Sequence, residues 1–369
     1  MSRLRYFGEA EPEPLAAPDN LSPMTSVVIP TPDDWHVHLR NDAMLQAVVG
    51  YTARRFRYAM VMPNLVPPIT STSAASEYRD QILQAAPSEA TDFKPVMAVY
   101  CSPRIDPDDL REGITSGVIA AVKYYPAGAT TNSDAGGTSL MAFESVYDVL
   151  IETGARLLVH AESTDPEVDI FDREAAFLED ELAPMCAAFP DLAVTVEHVS
   201  TRAGVDFVAA HPQTAATITP HHLARDRSDL LAHGMKPDLY CKPVINSATD
   251  REALVAAATS GDPAFMLGTD SAPHPTTAKY GPTAKAGVFN AAYGLEVVTD
   301  VFARHDALDQ LAAFVSANGC AVYGVEAPTD TITLTAQPVD VELATSLSTS
   351  NGDEVVLFGT EEATRWTIS

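Results

Sequence analysis

The chain has 369 residues, 46% hydrophobic and 20% charged, a balance typical of a soluble globular protein built as one large α/β domain or two smaller ones. Its formal net charge of −27 disfavours nucleic acid and anionic membranes as partners, because both are bound by basic surfaces. No apolar run reaches the ~18 residues of a membrane-spanning helix, so no such segment is predicted.

The N-terminal segment, residues 1–22, contains Glu9, Glu11 and Glu13 and no apolar core, so it resembles neither a secretion signal nor a transit peptide. We therefore predict a flexible tail over residues 1–22, a single domain over residues 23–369 and a cytoplasmic location. The four cysteines are widely spaced and include no CxxC pair, which fits reduced, buried thiols in that compartment.

Eight short runs rich in Val, Ile and Ala follow one another along the chain, separated by segments with helical spacing. The predicted strands lie near residues 26–30, 58–62, 95–100, 117–124, 156–160, 193–198, 215–219 and 264–269. Segments such as 141–153 and 172–188 predict helices between them. Near-continuous apolar strands that alternate with helices are typical of a parallel sheet covered by helices, and eight such units predict an α/β fold, a (β/α)8 barrel of the TIM type.

An open doubly wound sheet is the rival architecture. Such sheets usually have a glycine-rich phosphate-binding turn after the first strand, whereas this chain has DDWHVHLR at residues 33–40. The barrel is therefore favoured. Residues 331–369 contain the runs TITLT, EVVLFG and TRWTIS, which predict a short β-rich C-terminal extension outside the eight units.

Polar side chains stand at the ends of most predicted strands, where (β/α)8 barrels hold their chemistry. In chain order they are His36, His38, Asn64, Lys123, His160, His198 and Asp270. Residues i and i+2 of a strand share a face, so His36 and His38 are able to bind the same ion. Imidazole and carboxylate groups are the natural ligands of zinc and similar divalent metals.

Each of these groups has an ordinary structural explanation on its own: a strand-edge histidine often only satisfies hydrogen bonds, and Asp270 could cap a helix. Five separate strand ends that each present a ligand group form a far more specific pattern, which predicts a metal centre. Lys123 follows an apolar run, and a desolvated lysine loses its proton readily. The neutral amine can take up CO₂ as a carbamate that bridges two metals, with a hydroxide between them and Asp270 exchanging its proton.

Seven blocks of sequence stand out in order from about residue 24 onward: DDWHVHLR, MPNLVPPIT, KYYPAGATTNS, LLVHAE, EHVSTR, TITPHHL and GTDSAPH. They resemble the signature blocks of the shorter, monofunctional dihydroorotases of the amidohydrolase superfamily. The resemblance implies a metal-dependent enzyme that hydrolyses L-dihydroorotate and, in reverse, cyclises N-carbamoyl-L-aspartate in de novo pyrimidine biosynthesis. It also implies a homodimer.

The same resemblance implies two zinc ions per chain. One would be bound by His36, His38 and Asp270, and the other by His160 and His198. Carboxylated Lys123 would bridge the two ions, and Asp270 would also be the general acid and base.

The resemblance also implies a set of substrate contacts. Arg40 offers a planar, bidentate group to the substrate carboxylate, and Asn64 and His274 add hydrogen bonds to it. His38 and His160 lie beside the substrate as well.

Further contacts are implied in two loops. In the stretch GATTNSD, residues 128–134, Thr130 and Thr131 would hydrogen-bond carbamoyl-aspartate as a mobile loop closes over it. The backbone at Lys242 and Ala286 would touch the pyrimidine ring. Lys242 departs from the family, which usually has an apolar residue there, so its ammonium either alters affinity or points to solvent.

Two other functions remain open on the sequence. A related cyclic amidohydrolase would act on hydantoins or dihydropyrimidines, but those substrates lack the ring carboxylate for which Arg40, Asn64 and His274 are suited. A non-catalytic scaffold that supports aspartate transcarbamoylase would be expected to have lost metal ligands, whereas this chain retains all six.

Overall fold

The computed structural model describes residues 25–232, 234–336 and 342–369. The tail predicted for residues 1–22 lies outside the described residues. The described part contains these strands: β1 (Ser26–Pro30), β2 (Asp34–Val37), β3 (Tyr58–Val61), β4 (Lys94–Tyr100), β5 (Ala121–Tyr124), β6 (Arg156–Val159), β7 (Val194–Val196), β8 (Thr214–Ile218), β9 (Phe265–Leu267), β10 (Thr331–Ala336), β11 (Ser346–Ser348), β12 (Glu354–Val356) and β13 (Trp366–Ile368).

Helices fill most of the connections. They are α1 (Asp42–Ala53), α2 (Thr72–Ala85), α3 (Pro107–Thr115), α4 (Glu144–Thr153), α5 (Arg173–Phe177), α6 (Ala183–Ala188), α7 (Arg202–Ala210), α8 (Pro220–Ala224), α9 (Arg227–Leu231), α10 (Ala248–Ala258), α11 (Thr276–Lys279), α12 (Gly294–Arg304), α13 (Asn318–Tyr323) and α14 (Thr360–Ala363). A π-helical turn, Leu178–Leu182, joins α5 to α6, and a second, Ala313–Ala317, leads into α13. Both predicted helical segments are thus confirmed.

Strands β2 to β9 form one eight-stranded parallel sheet in chain order, which confirms the predicted barrel. The ends of the sheet meet just beyond the last strand. There the amide of Asp270 donates to the carbonyl of His36 at 2.8 Å, and the amide of His38 donates to the carbonyl of Ser271 at 3.0 Å. The backbone hydrogen bonds that close the barrel therefore involve three of the predicted metal ligands.

The first predicted strand is correct as a strand but wrong as a barrel strand. Ser26–Pro30 pairs antiparallel with Thr331–Ala336 in a separate three-stranded sheet, and the first barrel strand is Asp34–Val37. Ser26–Pro30 has the alternating burial of a sheet with one solvated face, with Val28 62% exposed and Ile29 fully buried. The true barrel strand was missed because its polar residues face the site.

The predicted C-terminal extension is β-rich, as expected. Strand β10 lies between β1 and β13, and β11 pairs with β12 as a separate two-stranded unit. Leu334 of β10 and Trp366 of β13 are buried in the main apolar core. The extension is therefore tied to the strand that leads into the barrel.

The residues on the inward face of the barrel strands change from apolar to polar towards the carboxyl ends of the strands, and this change defines the bottom of the site. Ala121 and Leu158 lie two residues before Lys123 and His160, on the same inward face, and both belong to a buried apolar cluster with Trp35. This cluster forms an apolar floor beneath the polar strand ends. None of the helices in the described ranges has the length and apolar character needed to cross a membrane.

Candidate metal centre and active site

The structure brings the six predicted metal ligands together at the carboxyl ends of the barrel strands. Their exposed fractions are 0% for His36, 9% for His38, 0% for Lys123, 1% for His160, 2% for His198 and 5% for Asp270. Burial is the main cause that lowers the pKa of all four histidines, so these imidazoles are neutral and keep a lone pair. A set of neutral imidazoles around a carboxylate is a suitable donor set for a divalent metal.

The first group consists of His36, His38 and Asp270. His36 Nδ1 lies 2.6 Å from a carboxylate oxygen of Glu197, and His38 Nδ1 lies 2.9 Å from Asn64 Oδ1. Both Nδ1 atoms therefore donate, and both Nε2 atoms carry lone pairs. These two atoms lie 3.3 and 3.1 Å from Oδ1 of Asp270, so three acceptors converge with no proton between them.

The second group pairs His160 with His198, whose Nδ1 and Nε2 atoms lie 3.1 Å apart. The Nε2 atom of His160 donates to Glu162 at 2.9 Å, which leaves the lone pair on Nδ1 facing His198. The rings of His198 and His36 lie 5.0 Å apart between centroids, so the two groups are neighbours.

Lys123 supplies a buried amine to this site. Its Nζ atom has no hydrogen-bond partner among the described residues and lies 5.0 Å from the ring centre of Tyr125. Burial lowers the pKa of Lys123 to about 8, against the opposing charges of Glu197 and Asp270. An unpartnered amine that is readily deprotonated is a suitable acceptor of CO₂, so the residues fit a metal pair bridged by a carbamate.

The backbone at the site is strained. Arg40, His198 and Asp270 have φ angles of 59°, 42° and 45°, in a region that residues other than glycine rarely adopt. The amide of His198 is held by the hydroxyl of Thr217 at 2.7 Å. A Cβ atom at Gly268 would lie 2.9 Å from that of His36, so only glycine leaves room for this histidine.

A small pocket opens above the metal ligands. All of the predicted substrate-binding residues but His274 line it: His38, Arg40, Asn64, Thr130, Thr131, His160, Lys242 and Ala286. His274 lies beside it, with its Nε2 atom 3.1 Å from Nη2 of Arg40. Burial and the adjacent guanidinium lower the pKa of His274, so its neutral ring accepts a hydrogen bond from Arg40.

Asn64 connects the metal ligands to the loop over the pocket. Its Oδ1 atom accepts from His38, and its Nδ2 atom donates to the carbonyl of Thr131 at 3.0 Å. In return, the side chain of Asn132 donates to the carbonyl of Asn64 at 3.0 Å. Thr130 and Thr131 are therefore held over the pocket by a reciprocal pair of amides.

One lysine joins the two backbone segments predicted to contact the substrate ring. Lys279 Nζ donates to the carbonyls of Tyr240 and Gly287 at 2.9 and 2.6 Å, and the amide of Gly287 also donates to Tyr240. Lys242 and Ala286 lie next to these residues and line the pocket. Lys279 thus fixes the spacing of both segments.

The sequence did not identify three residues that the structure places in or against the site. Glu162 and Glu197 accept hydrogen bonds from His160 and His36, and Tyr125 lines the pocket with a buried hydroxyl that lacks a partner within the described part of the chain. Both glutamates lie within two residues of a predicted ligand, and metal-bound histidines usually donate their other N–H to a carboxylate. That rule is the signal that could have found them.

A second cluster of ligand-type side chains has a structural explanation. His221, His222 and Cys241 are buried close together. His222 Nε2 and Cys241 Sγ both donate to the carbonyl of Pro243, at 3.2 and 3.1 Å. These hydrogen bonds fix the segment that carries Lys242.

The chain is similar to proteins of known family. The model of the amidohydrolase family matches residues 27–334. The dihydroorotase of Ruegeria pomeroyi is 50% identical over 318 residues, which cover 86% of this chain and 92% of the relative. The dihydroorotase of Erythrobacter litoralis is 46% identical over 344 residues, which cover 93% and 99%.

Solved structures give the same result. The dihydroorotase of Campylobacter jejuni superimposes with a TM-score of 0.85 at 30% identity, over 95% of this chain and 100% of that one. The Saccharomyces cerevisiae dihydroorotase, in complex with 5-fluoroorotic acid, has a TM-score of 0.84 at 29% identity, over 93% and 98%. An L-hydantoinase from Arthrobacter aurescens, at 17% identity, shares the fold alone. The chain belongs to the dihydroorotase family of amidohydrolases.

Proposed function

We propose that this chain catalyses the reversible cyclisation of N-carbamoyl-L-aspartate to L-dihydroorotate, a step of de novo pyrimidine (UMP) biosynthesis, in the cytoplasm. The observation that carries the proposal is the convergence of six ligand-type side chains beneath a pocket that is also lined by a half-buried arginine, Arg40. Arg40 suits a carboxylate, and L-dihydroorotate carries one on its ring. Hydantoins lack that group.

Two zinc ions per chain are the proposed metals. His36, His38 and Asp270 would hold one ion, His160 and His198 the other, and carboxylated Lys123 would bridge them. Bound there, the ions would acidify water and polarise the carbonyl oxygen of the scissile amide. The facing lone pairs of His36 and His38, the lone pair of His160 Nδ1 and the unpartnered amine of Lys123 support this assignment.

Asp270 is the proposed general acid and base. During hydrolysis its carboxylate takes a proton from the attacking water and passes it to the ring nitrogen as the C–N bond breaks. During ring closure it takes a proton from the ureido nitrogen as that atom attacks the side-chain carboxyl carbon. It passes this proton to the hydroxyl group that leaves the same carbon, which departs as water. Burial raises the pKa of Asp270, so its carboxylate is a stronger base than that of an exposed aspartate.

The remaining residues would bind and orient the substrate. Arg40, Asn64 and His274 would hold the ring carboxylate, while Thr130 and Thr131 would hydrogen-bond carbamoyl-aspartate from above. Backbone groups at Lys242 and Ala286 would contact the ring, beside His38 and His160. The hydrogen bond of Arg40 with His274, and that of Asn64 with the carbonyl of Thr131 at the pocket, support these roles.

The organisation of the chain is also part of the proposal. Residues 23–369 would form a single metal-dependent domain, and the protein would be a homodimer. Light scattering coupled to size-exclusion chromatography tests the second statement, because a monomeric mass at micromolar concentration would contradict it.

One assay tests the proposed activity. Purified protein supplied with zinc and bicarbonate is mixed with L-dihydroorotate, and substrate loss is followed by ultraviolet absorbance beside a Lys123→Ala variant. Rapid loss in the parent and little in the variant is expected. Zinc binding without turnover would indicate another cyclic amide as substrate, and absence of both zinc and turnover would favour a scaffold.

A further inference from the structure

Lys242, Glu162 and His160 form a continuous chain of hydrogen bonds from the mouth of the barrel to the metal ligands. Lys242 Nζ lies 2.5 Å from Oε1 of Glu162, and Oε2 of Glu162 lies 2.9 Å from Nε2 of His160. The three side chains are 10%, 2% and 1% exposed, respectively. Each carboxylate oxygen of Glu162 thus has one strong partner, and water has little access to these three side chains.

These hydrogen bonds determine which nitrogen of His160 faces the metal site. Glu162 occupies Nε2, so the lone pair remains on Nδ1, the atom 3.1 Å from His198. A carboxylate held only by His160 could rotate about its own side-chain bonds. Lys242 removes that freedom because it holds the second oxygen, and it compensates the charge of a buried carboxylate.

Hydrogen bonds to neighbouring carbonyl groups fix the backbone on both sides of Lys242. His222 Nε2 and Cys241 Sγ both donate to the carbonyl of Pro243, the residue that follows Lys242. Lys279 binds the carbonyl of Tyr240 on the other side. The backbone of Lys242 is therefore fixed at both ends, and its ammonium is directed at Glu162.

We propose that the side chain of Lys242 is a positioning residue for the metal centre: through Glu162 it fixes the orientation and tautomer of His160 and strengthens metal binding on that side. The inference rests on the proposed metal centre. It differs from the proposed backbone contact with the substrate ring, because it gives a role to the ammonium of Lys242, which is bound to Glu162.

The test compares four variants with the parent: Lys242→Met, Lys242→Arg, Glu162→Gln and Lys236→Met. Lys236 is the matched control, because it is an exposed lysine six residues away. Each protein is loaded with zinc, the zinc bound per chain is measured, and the loss of zinc to a competing chelator is titrated. KM and kcat for L-dihydroorotate are measured on the same preparations, and circular dichroism identifies any variant that fails to fold.

Lys242→Met should bind the more weakly held zinc about tenfold less tightly, in line with other outer partners of metal ligands. Its kcat should fall with little change in KM, and Lys242→Arg should restore most of both. Glu162→Gln should lose zinc in the same way. If Lys242→Met does not fold, this variant still tests the hydrogen bonds that connect Lys242, Glu162 and His160.

Two outcomes would overturn the inference, and they are distinguishable. If the parent holds two zinc ions and Lys242→Met retains them as tightly, with or without a higher KM, the positioning role is wrong and the proposed function stands. If the parent itself holds no zinc, both the metal centre and the positioning role fail.

Discussion

The Nε2 atoms of His36 and His38 lie 3.4 Å apart, and neither carries a proton, because each ring donates through Nδ1. Two lone pairs and the carboxylate of Asp270 therefore face one another in a buried space. Such an arrangement is repulsive without a cation and favourable with one. The geometry makes metal binding and folding stability dependent on each other.

Removing the metal should therefore lower thermal stability. A ligand at a thousandfold excess over its Kd stabilises the native state by about 4 kcal/mol, so zinc should raise the melting temperature of chelator-treated protein by several degrees. A His36→Ala variant should lose most of that response. Exposed His305 provides the matched control, because His305→Ala should respond like the parent. Equal responses in the two variants would contradict a metal site at His36.

Replacement of Lys123 should affect both the metals and a chemical modification. The amine is buried, lacks a partner in the described ranges, and has a pKa lowered to about 8. Lys123→Met should abolish turnover and lower bound zinc from two ions per chain, with folding preserved by the apolar replacement.

Isotopically labelled bicarbonate tests the carbamate directly. The parent should acquire one labelled carboxyl group, visible as a carbamate resonance, and Lys123→Met should acquire none. A fully active parent without that resonance would contradict carboxylation.

Arg40→Lys should weaken substrate binding although it keeps the charge. The Nε atom of Arg40 donates to the carbonyl of Pro273, and its Nη2 atom donates to His274. The ammonium of a lysine cannot reproduce this planar pair of donors. Charged hydrogen bonds contribute about 1.5–3 kcal/mol, so kcat/KM for L-dihydroorotate should fall about 10- to 100-fold with zinc content unchanged. Arg202→Lys, at an exposed site, should have no effect. Loss of activity on hydantoin by the same factor would argue against carboxylate recognition.

Asn132 should control closure of the loop over the pocket. Its side chain binds the carbonyl of Asn64, and its φ angle of 57° is one that glycine adopts freely. Asn132→Gly therefore removes the hydrogen bond without adding backbone strain. Amides of residues 128–134 should exchange hydrogen faster, and KM should rise about tenfold. Unchanged exchange would mean that Asn132 does not hold the loop.

The fold could be predicted because apolar strands buried on both faces alternate with helices in this chain. The error at Ser26–Pro30 has a physical cause: the true first strand, Asp34–Val37, has only four residues and contains Asp34 and His36, and such polar residues resemble a strand end. An antiparallel partner more than 300 residues away, Thr331–Ala336, makes Ser26–Pro30 a strand outside the barrel. Long-range pairing of this kind leaves no local signal.

The convergence of the six ligand-type side chains could be predicted for a related reason, since parallel strands bring their carboxyl ends to one mouth of the barrel. Their supporting partners could not. Glu197 contacts His36 from another strand, and Lys242 reaches Glu162 across 80 residues of sequence. From the sequence, the ammonium of Lys242 was expected either to alter substrate affinity or to point to solvent. The structure places it in a buried ion pair with Glu162 instead. Which carboxylate faces which ring depends on strand register, which becomes visible only after folding.

Tyr125 should make a hydrogen bond to the substrate. Its hydroxyl is buried and lacks a partner in the described part of the molecule, although the residue lines the pocket and its ring stacks on Tyr100. A buried hydroxyl without a partner costs free energy that a bound ligand can recover. Tyr125→Phe keeps the stacking and removes only the hydroxyl.

This variant should therefore bind zinc and fold like the parent, while kcat/KM falls about tenfold for the loss of one hydrogen bond. Tyr51→Phe, whose ring packs edge-on against Phe289 away from the pocket, is the control. Steady-state kinetics measure kcat/KM for both variants, and thermal unfolding shows whether each is folded like the parent. If Tyr125→Phe is fully active, the hydroxyl faces water or an unused space, and substrate recognition rests on Arg40 and the loop threonines.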